Sequence, residues 1–396
     1  MSATPRPAPA GAAELQGTVI QAGRPATDML ITCRDGVISA VRPADRGHGA
    51  GGPRIFILPG LIDAHDHLAF KRTLWETGPA AGALMGELMH TDAAQMRREF
   101  EANARRILAS GVTTVRDFGV DLGAGLSYAG GEAAATPRIL TCGAPLGIPG
   151  GHLHHRARAV TTIEDVNRLL AEDIDAGLPW VKLFASGGIA NYPQDPISVE
   201  LSEKLMRAAT DMAHGHGLRV AAHALPEESV LNAVRAGVDS IEHGVFLGDE
   251  SVRIMADRGV WYVPTLAGYT RRVRALRAAG QHAAADAFER DVITPHRRSV
   301  RMAQAAGVRI AVGTDITASV VDEMEALMDE AGLGFDEVLA GATTGAAELL
   351  GLADGTGTIA VGARADLLVV HSDPREDIRA LEDVVAVICA GQPVPA

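Results

Sequence analysis

The chain has 396 residues, of which 21% are charged and 47% are hydrophobic, as in an ordinary globular protein and unlike a disordered or fibrous chain. This length allows two or three domains, or one large α/β barrel with an appendage. The 36 basic and 49 acidic side chains leave a net charge of −13, which repels phosphate backbones and anionic lipid surfaces. We therefore expect a small-molecule substrate, and neither nucleic acid nor a membrane as a partner.

The N-terminal segment has no continuous apolar core of the signal-peptide type, and residues 1–14 are predicted to be disordered. No apolar stretch reaches the roughly 18 residues that a membrane-spanning helix needs. Cys33, Cys142 and Cys389 lie far apart and lack the spacing of a zinc ribbon, which favours buried thiols in a reducing compartment. These features predict a cytoplasmic protein and leave open whether it forms a homo-oligomer.

The two ends of the chain both have the character of short strands. Residues 15–57 contain alternating stretches around Asp35-Gly36, a pair typical of a type I′ hairpin turn. Residues 355–394 repeat this character in GTIAVGARADLLVVH and VVAVICAGQPV. Because these flanks enclose the rest of the chain, we predict that 15–57 and 355–394 form one small β-sandwich domain. Residues 58–354 are then a catalytic barrel inserted within it.

Between these flanks, strand-like apolar runs alternate with amphipathic helical stretches, which is the pattern of a parallel sheet built from βα units. Eight such units predict a closed (β/α)8 TIM barrel of the α/β class. The predicted strands are Leu58–Ala64, Val112–Arg116, Arg138–Cys142, Trp180–Ala185, Leu218–Ala222, Asp239–Glu242, Val260–Pro264 and Val308–Gly313.

The stretch from Gly268 to Ala306 is rich in arginine and alanine and has no strand character. A charge run of this kind is typical of a solvated helical face. The alternative is that one of its arginines reaches over the mouth of the barrel and binds an anionic group of the substrate. The arginines concerned are Arg271, Arg272, Arg274 and Arg277.

The sequence DAHDH, at the end of the first barrel strand, carries His65 and His67 two residues apart. Side chains at i and i+2 of a strand point to the same side, so both imidazoles can reach one metal ion. The carboxyl ends of barrel strands meet at one mouth, where other polar residues at strand ends would join them. These residues are Lys182, His223, His243 and Asp315.

Each of these four residues has an ordinary structural alternative when taken alone: a core histidine for His223 or His243, a helix cap for Asp315 and a surface amine for Lys182. Their joint placement at strand ends favours a metal centre. Imidazole nitrogen and carboxylate oxygen suit zinc and similar divalent ions, and the absence of thiolates leaves the site open for a bound water. A metal lowers the pKa of its water to about 7, so we predict hydrolysis.

The chain carries, in this order, the motifs PGLIDAHDH, GVTTVRD, KLFASGG, AAHA, AGVDSIEHG, PTL, VGTD and GTIAVGARADLLVV. With these motifs it resembles the amidohydrolase superfamily over essentially all of residues 15–394. The resemblance implies a metal-dependent (β/α)8 hydrolase in which the two terminal segments form a β-sandwich.

In the family that the chain resembles, a lysine on strand four marks sites where carbon dioxide adds to the amine and the carbamate bridges two metals. The resemblance therefore implies a carboxylated Lys182 and two divalent ions. Zinc suits the ligands best, and manganese, cobalt and iron stay open. One ion would be held by His65, His67, Lys182 and Asp315, and the other by Lys182, His223 and His243.

The resemblance also implies catalytic roles. A metal-bridging hydroxide is the nucleophile, and Asp315 accepts its proton and delivers it to the departing amine. His152, in GGHLHH, matches a histidine that hydrogen-bonds the carbonyl oxygen of the substrate. His154 and His155 have no such match and are interpreted as loop histidines.

One branch of this family resembles imidazolonepropionase and contains prolidase-like dipeptidases and a mycotoxin amidase. The chain is similar to this branch in the motifs KLFASGG and AGVDSIEHG and in the segment Gln194–Pro196. This implies cleavage of an amide bond in an N-acyl amino acid or dipeptide-like substrate. Leu225 is the predicted substrate-contact position where many branch members carry tyrosine. One alternative is a cyclic amide, imide or lactone hydrolase acting on a non-peptide metabolite, and another is a metal-binding barrel without catalysis.

Overall fold

A computed structural model describes residues 12–44, 54–70, 92–119, 136–189, 197–316 and 318–395. The strands are β1 (Ala12–Val19), β2 (Thr27–Arg34), β3 (Val37–Pro43), β4 (Phe56–Pro59), β5 (Leu61–Asp66), β6 (Val112–Asp117), β7 (Arg138–Thr141), β8 (Leu146–Gly147), β9 (Arg158–Ala159), β10 (Trp180–Phe184), β11 (Arg219–Pro226), β12 (Ser240–Phe246), β13 (Trp261–Val263), β14 (Leu367–Val370), β15 (Val384–Cys389) and β16 (Gln392–Pro393). The helices are α1 (Ala93–Ala109), α2 (Ile163–Asp175), α3 (Glu203–Gly215), α4 (Glu227–Ala236), α5 (Asp249–Arg258), α6 (Leu266–Ala278), α7 (His282–Phe288), α8 (Thr294–Ala305), α9 (Val320–Asp329), α10 (Phe335–Gly341) and α11 (Thr344–Leu349).

Strands from both ends of the chain form one seven-stranded sheet, in the order β16-β15-β14-β4-β1-β2-β3. Strands β2 and β3 form a hairpin whose turn residues, Asp35 and Gly36, have φ angles of 51° and 80°, as the predicted type I′ turn requires. The sheet has its own apolar core, to which Ile31, Ile38 and Leu367 belong. Hydrogen bonds link its strands as a single sheet rather than as the two sheets of the predicted sandwich.

This terminal sheet begins earlier in the chain than predicted. Strand β1 starts at Ala12, so residues 12–14 pair with the end of β2 and do not belong to a disordered N-terminus. The residues Ala-Ala-Glu have little strand propensity of their own, and the pairing is therefore dictated by the partner strand. Residues 1–11 lie outside the described ranges.

The predicted first barrel strand, Leu58–Ala64, is in fact two strands that divide at Gly60. Strand β4 pairs with β14 of the terminal sheet, whereas β5 pairs with β6. Leu58 and Pro59 therefore belong to the terminal sheet and not to the barrel segment. All residues of β4 and β5 are buried, so the apolar run continues through the division and could not reveal it.

Gly60→Ala is expected to destabilise this junction. A Cβ atom at position 60 would collide with the hydroxyl oxygen of Thr113 and lie 2.6 Å from its Cγ2. Thr113 is fully buried in β6, and overpacking of this kind costs about 1–3 kcal/mol in the free energy of unfolding, which urea denaturation measures. The control is Gly215→Ala, where a new Cβ meets no atom within 4 Å. Equal stabilities of the two variants would contradict the expectation.

The predicted barrel strands lie in two parallel sheets, one with the order β5-β6-β7 and the other with the order β13-β12-β11-β10-β8-β9. Six of the eight predicted strands are confirmed as β6, β7, β10, β11, β12 and β13. Strands β8 and β9 have two residues each and are too short to carry a recognisable pattern. An isolated parallel bridge between Cys142 and Trp180 connects the two sheets, and a second such bridge joins Asp66 to Asp315.

The last predicted strand, Val308–Gly313, is not a regular strand. Its backbone forms a parallel bridge from Ile310 to Tyr262 of β13. On its other side, the carbonyl oxygen of Val312 accepts a hydrogen bond of 2.9 Å from the backbone N–H of Ala64 in β5. The segment therefore lies between β13 and β5, and it links the two sheets on the side opposite the Cys142 bridge.

The arginine-rich stretch is helical, as predicted, and contains most of α6, all of α7, a π-helical turn at Glu289–Ile293 and α8. Within the described ranges, no helix is long and apolar enough to cross a membrane. Cys33, Cys142 and Cys389 are free thiols, of which the first two are buried and Cys389 is partly buried.

Candidate metal centre

The structure brings the predicted histidine ligands together in a row. The ring centroids of His67 and His65 are 5.5 Å apart, those of His65 and His243 are 5.0 Å apart, and those of His243 and His223 are 4.7 Å apart. All four side chains are buried. His65 lies in β5 and His67 directly after it, whereas His223 and His243 lie in β11 and β12, so strand pairing brings the two histidines of DAHDH together with the other two.

Asp315 approaches this row from the segment between β13 and β5. Its Oδ1 atom is 3.5 Å from Nε2 of His67 and 4.0 Å from Nε2 of His65. One potential ligand atom from each of Asp315, His65 and His243 lies within 4.8 Å of the other two. Three residues from three separate elements can thus reach a single divalent ion.

The backbone at this corner is held in uncommon conformations. His243, Thr265 and Asp315 have φ angles of 71°, 54° and 55°, which are rare for residues other than glycine. Hydrogen bonds hold these conformations: Nδ1 of His243 lies 2.7 Å from Oγ1 of Thr265, and the hydroxyl group of Thr314 donates to the buried carboxylate of Asp63 at 2.6 Å. Backbone strain of this kind concentrates at functional sites.

Lys182 has a buried amine that lies 3.7 Å from the centroid of the Phe118 ring. The same ring packs edge-on against His65, with centroids 4.6 Å apart. Among the described residues, the Nζ atom has no hydrogen-bond partner. Burial lowers the pKa of Lys182 from 10.5 to about 8. A part of the amine is therefore unprotonated, and so able to react with an electrophile, close to neutral pH.

Burial also sets the protonation of the other predicted ligands. Loss of hydration, reinforced by the Lys182 charge, lowers the pKa of His67 to about 3. The same loss of hydration lowers the pKa well below 6.5 for His65, His223 and His243. The imidazoles are neutral at neutral pH, which a metal ligand requires. Burial raises the pKa of Asp315 to about 6, against the opposing effect of Lys182.

His152 lies beside this row, on the turn that follows β8. Its ring stacks on that of His223 at a centroid distance of 4.2 Å and an angle of 15°, and it meets Phe184 edge-on at 4.8 Å. The backbone N–H of His152 donates to both carboxylate oxygens of Glu200 at 2.9 Å. Gly188 lies against the ring, since a Cβ there would be 2.5 Å from Cε1 of His152. The ring is thus confined on three sides.

Gly188→Ala is expected to displace the His152 ring and to lower kcat on the order of 10²-fold, because small misplacements of an orienting group have effects of this size. Metal content is expected to stay at the wild-type level, since His152 is not among the predicted ligands. Steady-state kinetics and metal analysis measure the two quantities. The control is Gly147→Ala, whose new Cβ would make ordinary contacts of 3.5 Å with Ala157 and Phe184. An unchanged kcat in Gly188→Ala would contradict the expectation.

Other predicted residues lie apart from this row or outside the described ranges. His154 and His155 are exposed in a turn, which agrees with their interpretation as loop histidines. Leu225 has no exposed surface and packs in an apolar cluster with Val245 and Phe288. Its contact with a substrate stays a prediction, and in this conformation the side chain offers no surface for one. The segment Gln194–Pro196 lies outside the described residues.

Helix α6 places Tyr269 beside the row of histidines and carries Arg272 one turn later. The ring centroid of Tyr269 is 5.9 Å from that of His243. Arg272, one helical turn later, is half-buried, donates from Nη1 to the carbonyl oxygen of Ile189 at 2.9 Å and lies over the ring of Phe288. Arg272 thus contacts the loop after β10.

The donor set fits a divalent metal ion. Of the buried polar atoms that lack a hydrogen-bond partner within the described residues, three lie in this cluster: Nε2 of His65, Nδ1 of His67 and Nζ of Lys182. Buried polar groups are nearly always paired, and such orphaned atoms in one cluster indicate a ligand that the protein is built to hold. Neutral imidazoles together with a carboxylate are the donors that zinc and similar ions prefer.

Comparison with known proteins supports this chemistry. The model of the amidohydrolase family matches residues 56–394. The chain belongs to the amidohydrolase family. Amidohydrolases generally use divalent metal ions, and this amidohydrolase is an enzyme that hydrolyses C–N bonds.

Its relatives include enzymes of the predicted branch. An uncharacterized protein of Mycobacterium tuberculosis is 30% identical over 355 residues, which are 87% of each chain. Imidazolonepropionase of Chromobacterium violaceum is 28% identical over 371 residues, covering 85% of this chain and 83% of that enzyme. The crystal structure of a prolidase complexed with N-methylphosphonate-L-proline matches with a TM-score of 0.81 at 28% identity, covering 96% of this chain and 98% of the prolidase. The predicted resemblance to this branch is confirmed.

Sequence reasoning missed two residues at the site of this amidohydrolase, Arg116 and Glu242. Both side chains are fully buried, and Nη2 of Arg116 lies 2.9 Å from Oε1 of Glu242. The other carboxylate oxygen, Oε2, is 2.7 Å from Nδ1 of His65. The sequence does point to both residues, because each is a charged residue inside a predicted barrel strand, and a buried charge must have a partner.

Proposed function

We propose that the protein hydrolyses an amide bond of an N-acyl amino acid or dipeptide-like substrate, using two divalent metal ions. The observation that carries this proposal is the buried cluster of His65, His67 and Lys182 beside Asp315. One nitrogen of each histidine and Nζ of Lys182 have no hydrogen-bond partner among the described residues. A purely structural cluster of this kind would leave these polar groups unsatisfied, at a cost in stability.

We propose that the two parallel sheets belong to one (β/α)8 barrel, closed by the Cys142–Trp180 bridge and by the segment between β13 and β5. In this arrangement the barrel comprises residues 60–354, and residues 12–59 and 355–394 form the second domain. The free cysteines suit a reducing compartment, and we propose a cytoplasmic location.

His65, His67 and Asp315 would hold one metal ion, His223 and His243 would hold the other, and a carboxylated Lys182 would bind both. Zinc suits these ligands. Carboxylation requires an unprotonated amine, and the lowered pKa of Lys182 supplies one. When bound, the ions would supply an activated water and polarise the scissile carbonyl.

Asp315 would transfer the proton in this reaction, because it lies among the proposed ligands and its side chain is also accessible to the substrate. Its side chain is 28% exposed, whereas those of His65 and His67 are 1% and 8% exposed. It would take a proton during attack on the carbonyl carbon and give it to the amine nitrogen as the C–N bond breaks. His152, neutral and confined beside His223, would donate a hydrogen bond to the carbonyl oxygen.

A free carboxylate on the substrate would be recognised from helix α6. Arg272 presents a guanidinium at the loop after β10, and Tyr269 places its ring beside His243. Arginine binds carboxylates through two parallel hydrogen bonds, which also fix the orientation of the bound group. The prolidase likeness agrees with a substrate of this kind.

The proposal is tested by profiling a library of N-acyl amino acids together with their methyl esters and a set of cyclic amides, imides and lactones. We expect hydrolysis of the free acids. The esters lose a charge-assisted hydrogen bond worth about 1.5–3 kcal/mol, so their kcat/KM is expected to be roughly 10- to 100-fold lower. In Arg272→Ala this preference is expected to shrink through a rise in KM. The control is Arg253→Ala, an exposed arginine on α5. Turnover of the cyclic set alone would contradict the proposal.

The second candidate is hydrolysis of a cyclic amide, imide or lactone of a non-peptide metabolite. The likeness to imidazolonepropionase favours it, as does Leu225 at the position where many branch members carry tyrosine. The same library decides between the two candidates.

A further inference from the structure

A buried ion pair lies directly behind one of the proposed metal ligands. Arg116 Nη2 is 2.9 Å from Oε1 of Glu242, and neither side chain has any exposed surface. Glu242 Oε2 is 2.7 Å from Nδ1 of His65. The three side chains come from β6, β12 and β5, so the three strands must assemble before this chain of contacts exists.

The guanidinium group of Arg116 is fixed from several directions. Its Nε donates to the carbonyl oxygen of Ala64 at 2.5 Å, and its Nη1 donates to Oγ of Ser240 at 3.1 Å. Its central carbon lies 4.4 Å from the ring centroid of Phe118 and 4.3 Å from that of Trp180. The serine hydroxyl also donates to Oε1 of the glutamate at 2.5 Å. The carboxylate is therefore held in one orientation, with its second oxygen left for the imidazole.

We propose that Glu242, held by Arg116, is a positioning residue that fixes the tautomer and the orientation of the His65 ring. An ionised carboxylate can only accept hydrogen bonds, so the proton resides on Nδ1 and the lone pair is left on Nε2. That Nε2 atom is buried, has no partner within the described residues and lies 4.0 Å from Oδ1 of Asp315. The inference rests on the proposed metal centre, toward which this lone pair is aimed.

The arginine is the charge partner that the buried carboxylate of Glu242 requires. Burial of an isolated carboxylate is costly, and a protonated one could present its own hydrogen to the imidazole instead of accepting one. Arginine keeps its charge in proteins, and its planar group offers donors that match a carboxylate. Because the two charges cancel, the pair orients His65 without adding net charge beside the metal centre.

Two double variants separate this role from a structural one. Arg116→Met/Glu242→Gln and Arg116→Met/Glu242→Leu both remove both charges, so neither leaves an unpaired buried ion. Glutamine retains an oxygen that can accept from Nδ1 of His65, whereas leucine does not. Urea unfolding of the metal-free proteins checks that each variant is folded. The decisive quantity is the dissociation constant of Zn²⁺ alone, measured by competition with a chromophoric chelator.

We expect the leucine variant to bind Zn²⁺ about 10- to 100-fold more weakly than wild type, the usual effect of losing the outer partner of a metal-bound histidine. The glutamine variant is expected to recover most of that affinity. The visible spectrum of bound Co²⁺ is expected to change in the leucine variant only. Wild-type affinity in the leucine variant would overturn the inference and leave the metal centre standing. Absence of Zn²⁺ binding by the wild-type protein would overturn both.

Discussion

Lys182→Ala is expected to lose at least one of the two proposed metal ions. We also expect kcat/KM to fall by more than about 100-fold, because loss of a residue that only orients a metal ligand already costs about 10- to 100-fold. The reason is that Lys182, once carboxylated, is the one side chain proposed to bind both ions. Its Nζ atom lies buried over Phe118 without a hydrogen-bond partner in the described part of the chain, so no neighbouring group replaces it. Elemental analysis and steady-state kinetics measure the two effects.

The matched control is Lys204→Ala, because Lys204 is exposed on α3. We expect this variant to keep the wild-type metal content and activity. After incubation with ¹³C-bicarbonate, a carbamate signal in the NMR spectrum is expected for the wild-type protein and for Lys204→Ala, and none for Lys182→Ala. Full metal content in Lys182→Ala would contradict a bridging role for this lysine.

Asp315→Asn is expected to lower kcat for amide substrates by about 10²- to 10⁴-fold, the range found for a general acid or base. Asparagine keeps an oxygen at the place where Oδ1 of Asp315 lies 3.5 Å from His67, but it cannot take up and release the proton. The loss is expected to be smaller for an activated phenyl ester of the same acid, because a phenolate departs without a proton. Comparison of kcat for the two substrates measures the role directly.

Asp257→Asn serves as the control for this substitution. Asp257 is exposed on α5 and pairs with Arg253, so its loss is expected to leave both reactions unchanged. Equal losses on the amide and the activated ester in Asp315→Asn would assign Asp315 to metal binding alone. Unchanged turnover of the amide would remove Asp315 from the reaction altogether.

Much of the site could be predicted from the sequence, because its residues follow strand ends. His65 and His67 share one side of a strand, and the parallel order of β10, β11 and β12 brings Lys182, His223 and His243 alongside. Parallel strands place their carboxyl ends at one edge, so the proximity of these residues follows from the alternation of strands and helices alone.

The remaining features depend on pairing between distant segments. The apolar run through Gly60 gives no sign that β4 and β5 join different sheets, because both are buried. The segment at Val308–Gly313 has the composition of a strand, yet it joins β13 through one isolated bridge at Tyr262 and β5 through a backbone hydrogen bond from Ala64. The contact between Arg116 and Glu242 could not be predicted either, since the two residues come from separate strands.

Anomalous X-ray diffraction from crystals grown with Zn²⁺, with data on both sides of the zinc absorption edge, tests the metal-centre account most directly. The account predicts two anomalous peaks enclosed by the six proposed ligands, with additional density on Nζ of Lys182 that bridges them. The proposed ligands are His65, His67, Lys182, His223, His243 and Asp315. A map with no peak among these side chains, or with one peak beside an unmodified Lys182, would contradict it.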